Sequence, residues 1–152
     1  MMKRCFIVTI SVILLSMIMF SCKKDSNQSE IDHGLIEAYV IKKQLDGQYT
    51  SSGLYYVIVD PGDNDHPTIN SNVNVSYTGY SLEDVVFDEG NNITLGLYQV
   101  IAGWQEGLQL IGEGGSIKLV IPSGLAYGSS GLGSIKPNEV IAFDVTLHYF
   151  IN

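Results

Sequence analysis

The chain has 152 residues, enough for one domain with appendages and too few for two full cores. Its formal net charge of −8 is unevenly spread: from residue 25 onward four lysines and no arginine face all sixteen acidic residues, a net −12. A surface that negative repels phosphate backbones, which excludes nucleic acid as a partner, and it assigns any membrane contact to something other than a basic patch.

The elements follow in chain order. Lys3 and Arg4 precede an apolar run over 6–20, broken only by Thr9, Ser11 and Ser16. Fifteen helical residues span about 22 Å, short of the ~30 Å hydrocarbon core, so residues 1–21 read as a signal peptide and not as a membrane span. The segment Met19-Phe20-Ser21-Cys22, followed at once by polar residues, resembles the bacterial lipobox. Phe20 is an unusual occupant of that motif. The resemblance implies lipid attachment at the Cys22 thiol, cleavage before it and acylation of the new N-terminus. Several acyl chains, at roughly 0.8 kcal/mol per buried methylene, would then hold the protein on a membrane permanently. The expected location is the outer membrane, facing the periplasm or the cell surface. With Cys5 removed and Cys22 lipidated, the folded part keeps no thiol for a disulfide or a cysteine-type zinc site.

Residues 22–30 are polar and free of aromatics, which predicts a flexible tether. A helix is expected from about Glu30 to Leu45, within a helical extension over 31–50. Ile31, Leu35, Ala38 and Leu45 lie near one stripe, and Gly47 ends it. The period then changes. Leu54 to Val59 is β-branched and aromatic and stops at the turn signal Asp60-Pro61-Gly62. Val73 to Tyr77 alternates apolar and polar, as do Ser116 to Ile121 and Val140 to Tyr149, where Ile141, Phe143, Val145, Leu147 and Tyr149 share one row. Between them a short helix is expected over Gly103 to Ile111, with Trp104, Leu108 and Ile111 on one side. Antiparallel strands around one core-facing helix define an α+β domain, a sheet curled over a helix.

Four segments then carry a resemblance: "VSYTGYSLEDVVFD" at 75–88, "QVIAGWQEGLQLI" at 99–111, "KLVIPSGLAYG" at 118–128 and "IKPNEVIAFDVTLHYF" at 135–150. In this order they are similar to the signature segments of the FKBP-type peptidyl-prolyl cis/trans isomerases, over a domain at 54–152. The resemblance implies a five-stranded antiparallel half-barrel sheet curled around a short helix. It also implies catalysis of X-Pro bond rotation in extracytoplasmic proteins, with no cofactor and no metal. Proline-containing peptides and folding proteins would be the partners, and a macrolide a ligand of the same pocket.

The family's pocket maps onto this chain position by position. Tyr77 would line one wall. Phe87 would be an aromatic wall and Asp88 the pocket's buried carboxylate. Val100 and Ile101 precede the helix, and the Ile101 N–H would bind a substrate carbonyl. Trp104 would floor the proline ring, Tyr127 would offer its hydroxyl to a second carbonyl, and Ile135 and Phe143 would complete the apolar lining. The chain departs from the family at the rim. Only 89–97 separate Asp88 from Tyr98-Gln99-Val100, with no aromatic in that stretch, and Leu132 stands where some members carry histidine. His33, His66 and His148 lack ligand spacing, and Asp63/Asp65 and Glu83-Asp84 read as solvated turns.

Overall fold

The computed structural model describes residues 27–152. The signal-peptide and lipobox readings, and residues 22–26 of the tether, lie outside them. Helix α1 occupies 27–43 of the described chain, so residues 27–30 are helical and not tether, and 44–50 leave the helix. Its buried side is also one position away from the expected stripe. Asp32, Ile36 and Tyr39 are buried, whereas Ile31 and Leu35 are 48% and 45% exposed and Ala38 is exposed as well. Both sets have i, i+4, i+7 spacing, so periodicity alone does not choose between them. The deciding residue is a carboxylate, which a hydrophobicity pattern places outside.

Helix α1 ends before Gly47. Gln44 takes φ +55°, and the amides of Gln44 and Leu45 donate to the carbonyls of Ile41 (3.2 Å) and Val40 (3.0 Å). Those are the paired bonds of a Schellman end, here built on glutamine. Gly47 is needed for close approach instead: a Cβ there would meet the Tyr56 carbonyl oxygen at 2.2 Å. At that point the chain enters strand β1 (Gln48–Tyr49), which pairs with β2 (Tyr55–Asp60).

Strands β3 (Asn72–Ser81), β4 (Val86–Gly96), β5 (Ser116–Ile121) and β6 (Ile141–Ile151) complete one sheet. The described sheet is antiparallel, in the order β1-β2-β5-β6-β3-β4. It has six strands where five were expected, because the two residues of β1 add an edge. Strand β4 has no clear alternation in the sequence. It forms by pairing along β3, with the register shifting between Val75 and Tyr77 and again between Gly79 and Tyr80. Two such irregularities flip the facing of side chains, which hides a strand from a period-two reading.

The same effect corrects one end of β6. Ile141, Phe143, Val145 and Leu147 are buried in one row, but Tyr149 is exposed. Its β3 partners step from Val75↔Leu147 to Asn74↔Tyr149, and that bulge turns Tyr149 outward. Helix α2 (Ala102–Gly107) continues into one 3₁₀ turn, Leu108–Leu110, and Ile111 is already extended. It is shorter than expected, yet Trp104, Leu108 and Ile111 are all buried.

The sheet therefore has two covered faces. On one, Trp104 of α2 and Leu108 of the turn that follows it pack with Val75, Leu119, Phe143 and Leu147. On the other, Ile36 and Tyr39 of α1 pack with Tyr55, Tyr80, Val120 and Ala142. Alternation along β5 and β6 supplies both cores, with Leu119 and Phe143 on one side and Val120 and Ala142 on the other. Beneath α1 the Tyr80 hydroxyl donates to Asp144 Oδ2 (2.9 Å), and Lys118 reaches both groups, which ties β3, β5 and β6 together.

Candidate active site

On the α2 side the sheet leaves a cavity of about 270 Å³, lined by Tyr77, Asp88, Leu95, Gln99, Val100, Ile101, Trp104, Tyr127 and Phe143. Several separate elements contribute, with Gln99, Val100 and Ile101 coming from the segment just before α2. Tyr77 comes from β3, Asp88 and Leu95 from β4, Phe143 from β6 and Trp104 from the first turn of α2. Tyr127 is in the loop after β5. A larger groove of about 670 Å³ lies against Ser76, Thr78, Ser116 and Thr146, but no aromatic ring other than Tyr77 lines it. The smaller cavity has the aromatic walls and convergent polar groups of a ligand site.

The floor is Trp104, 4% exposed. Tyr77 and Phe143 stand nearly perpendicular to it, with ring centroids at 5.0 Å and 86° and at 5.2 Å and 85°. Phe87 in turn meets Phe143 edge-on at 5.6 Å and 86°. Edge-to-face pairs fix ring orientation as well as adding stability, so these rings form a rigid apolar box. Gly79 allows it: a Cβ at that position would meet Phe143 Cε1 at 2.5 Å and Phe87 Cε2 at 2.8 Å. Phe87 joins the box through its edge-on contact with Phe143, and Ile135 is buried in the same α2-side core; neither borders the cavity directly.

The polar rim has four groups, the Tyr77 and Tyr127 hydroxyls, the Asp88 carboxylate and the Ile101 N–H. The Tyr77 hydroxyl donates to Asp88 Oδ2 at 3.0 Å. Asp88 is exposed, which corrects the expected buried carboxylate. It sits on β4, the sheet's outer strand, and the short stretch that follows lays no aromatic over it. Burial, and then the neighbouring Asp88 carboxylate, push the Tyr127 phenol above its ordinary range, so at neutral pH it keeps its proton and can donate a hydrogen bond. Tyr77 is raised by burial first, then by its bond to Asp88. Ile101 is the N-cap of α2, and its carbonyl accepts from Trp104 and Gln105. Its own N–H meets no acceptor among the described residues. The side chain of Gln105 donates to the Val100 carbonyl at 2.8 Å and so pins the segment that carries this amide.

Leu95, Gln99 and Gln105 were not anticipated. Leu95 enters the lining through the pairing of β4 with β3, where it stands opposite Val73. Gln99 lies in a 3₁₀ turn, Leu97–Gln99. Among the described residues no group of three or more histidine, cysteine, aspartate or glutamate side chains could hold a metal ion.

An apolar box floored by one indole, with phenol and amide donors at its rim and no nucleophile–base pair in the lining, has the shape and chemistry to hold a small apolar ring. Comparison with known proteins gives the family. The chain belongs to the FKBP-type peptidyl-prolyl cis-trans isomerase family, whose model matches residues 63–148, more than half of its length. It is 44% identical over 103 residues to the FKBP-type isomerase FkpA of Buchnera aphidicola subsp. Schizaphis graminum, covering 64% of this chain and 41% of that one. It is 42% identical over 102 residues to FkpA of Escherichia coli K12, covering 64% and 38%. The chain thus spans about two fifths of the length of these curated relatives. The crystal structure of E. coli FkpA superposes with a TM-score of 0.71 at 33% identity, over 91% of this chain and 71% of that one. A peptidyl-prolyl isomerase from Pseudomonas syringae superposes equally, at 0.71 and 26% identity, over 82% and 96%.

Proposed function

We propose that this domain accelerates cis/trans rotation about X-Pro bonds in proteins outside the cytoplasm. Trp104 would lie under the proline ring, with Tyr77 and Phe143 as side walls. The five longer strands correspond in this reading to the family's half-barrel around α2. The observation that carries it is the perpendicular aromatic box, with the Ile101 N–H and the Tyr127 hydroxyl at its mouth.

Rotation about the amide must break resonance, against a barrier of roughly 18–20 kcal/mol. The planar amide is more charge-separated than the twisted one, so a dry apolar box disfavours the planar ground state relative to the transition state. The Ile101 N–H and Tyr127 O–H hold flanking carbonyls while the bond between them turns. A million-fold acceleration requires only about 8 kcal/mol of differential stabilisation, at 1.36 kcal/mol per tenfold. No proton transfer or covalent intermediate is needed, which suits a rim whose phenols stay protonated. Its substrates would be proline-containing, partly folded chains, and a macrolide would compete for the same box.

The domain would work from a membrane. The lipobox-like segment ending at Cys22 supports a lipid anchor on the outer membrane, facing the periplasm or the cell surface. No helix among the described residues is long and apolar enough to cross a membrane. Cys22→Ser should abolish labelling by a radioactive fatty acid and move the protein out of the membrane fraction. Retained labelling would remove the anchor from this reading.

The deciding experiment measures exchange of Leu-Pro and Phe-Pro peptides by NMR, beside direct binding of the same peptides. Catalysed exchange is expected. Binding with exchange left at its uncatalysed rate would leave a proline-peptide binding module in place of an isomerase.

A further inference from the structure

Helix α1 reaches the chain just ahead of Tyr127 through one buried carboxylate. Asp32 is 2% exposed, and no lysine, arginine or histidine pairs with it among the described residues. Its Oδ2 accepts both the Ser123 amide (2.8 Å) and the Ser123 hydroxyl (2.7 Å), while Oδ1 accepts from Gln28 Nε2 (2.7 Å). A buried anion without a cation is kept only where donors converge on it, and here three do. Ser123 opens the 3₁₀ turn Ser123–Leu125, whose N-cap, Pro122, has no side-chain capping bond of its own. Asp32 therefore caps that turn from 91 positions away in sequence.

The turn leads straight into Tyr127. The Pro122 carbonyl accepts the Leu125 amide (2.9 Å), and the Ser123 carbonyl accepts the Ala126 amide (3.0 Å). Beyond Tyr127 the chain is held by Gly131 N–H to the Tyr127 carbonyl (3.2 Å) and Asn138 N–H to the Gly128 carbonyl (2.8 Å). The loop that presents the Tyr127 hydroxyl is thus tied at its far side by its own flap. At its near side the tie is a side chain of α1, on the opposite face of the sheet from the cavity.

Given the isomerase reading above, on which this rests, we infer that Asp32 is a positioning residue for Tyr127. It fixes the start of the catalytic loop without touching the substrate. The docked extension helix is then part of the catalytic apparatus as well as a connection to the N-terminus. A domain that loses the seat of α1 would keep its aromatic box and lose the placement of one of its two carbonyl donors.

The test is a double-mutant cycle in the full-length chain, with Leu-Pro peptide exchange as the readout and every variant assayed well below its melting temperature. Asp32→Ala should lower kcat/KM about three- to tenfold in the wild-type background, the size expected for a misplaced hydrogen bond. In a Tyr127→Phe background the same change should cost less than about twofold, because the hydroxyl it positions is gone. Ser123→Ala, which deletes one of the two donors and keeps the amide, should give a weaker version of the same pattern. It serves if Asp32→Ala does not fold. Equal losses in both backgrounds, or none in either, overturn the assignment.

A second readout does not depend on activity. Amide hydrogen exchange at Leu125 and Ala126 should speed up in Asp32→Ala and Ser123→Ala while β3 amides stay protected. Unchanged exchange at those two amides also overturns it. If the wild type fails to accelerate peptide exchange, the isomerase reading falls, and this NMR measurement still judges the coupling of α1 to the loop.

Discussion

Phe143 joins the fold to the proposed chemistry, and Phe143→Leu tests both. The residue is 3% exposed. Its ring meets Trp104 at 5.2 Å and 85°, Phe87 at 5.6 Å and 86°, and Tyr77 at 6.2 Å and 59°. Leucine keeps most of the volume, so the cavity cost is small, but it has no aromatic face or edge. An aromatic pair contributes about 0.5–1.5 kcal/mol beyond area burial. Three pairs sharing one ring are not independent, so the expected loss is about 2–3 kcal/mol out of a total of roughly 5–15 kcal/mol. The domain stays folded, with a Tm lower by about 10 °C. Phe87 then loses its support and water gains a route to the proline ring, so kcat/KM should fall at least about tenfold, or 1.4 kcal/mol. The assay is Leu-Pro exchange at 10 °C, where uncatalysed isomerisation takes minutes and the variant is folded. Trp104 is the chain's single tryptophan, so its emission reports on the pocket floor directly and should shift to longer wavelength. A folded variant with unshifted emission and wild-type kcat/KM would refute the role of the aromatic box.

Three further outcomes can be checked. Tyr127→Phe removes one donor and leaves the walls, so kcat/KM should drop by about two- to tenfold with Tm nearly unchanged; an unaltered rate removes Tyr127 from the mechanism. Tyr39 is pushed up to about 12, by burial first and then by the adjacent Tyr80. Since an exposed phenol in the unfolded chain titrates near about 10, the unfolded state loses this proton first as pH rises. The stability from keeping Tyr39 neutral is thus complete below pH 10 and lost between about 10 and 12. Urea midpoints should fall over that window and fall less in Tyr39→Phe; parallel curves would contradict the assignment. Gln44→Gly relieves a left-handed glutamine at the end of α1 and should stabilise the domain by about 0.5–1 kcal/mol in chemical denaturation, whereas a lowered midpoint would mean that the glutamine side chain matters there.

The parts of the fold readable in the sequence were those in which one local pattern fixes one structure. The row Ile141–Phe143–Val145–Leu147 of β6, Ile117, Leu119 and Ile121 of β5 and the Trp104–Leu108–Ile111 spacing are all found in the core under α2. What escaped was set by pairing or by long-range polar contacts. Strand β4 follows β3 through two register shifts, Tyr149 is turned out by a bulge opposite β3, and β1 is two residues held by β2. None of these leaves a periodic trace in its own segment. The site divides in the same way. Tyr77, Trp104, Tyr127 and Phe143 are rings whose place follows from the family segments, while Asp88 lies exposed because nothing packs across an outer strand. The facing of α1 shows the limit most clearly. Its two candidate stripes, 31/35/38 and 32/36/39, have the same spacing, and the more apolar of the two is the exposed one. A hydrophobic scale cannot select the other, because the selection is made by Ser123, which lies on the far side of the sequence and supplies two of the donors that let Asp32 be buried. Burial of a charge is decided by its partners, and partners distant in sequence become visible only in the fold.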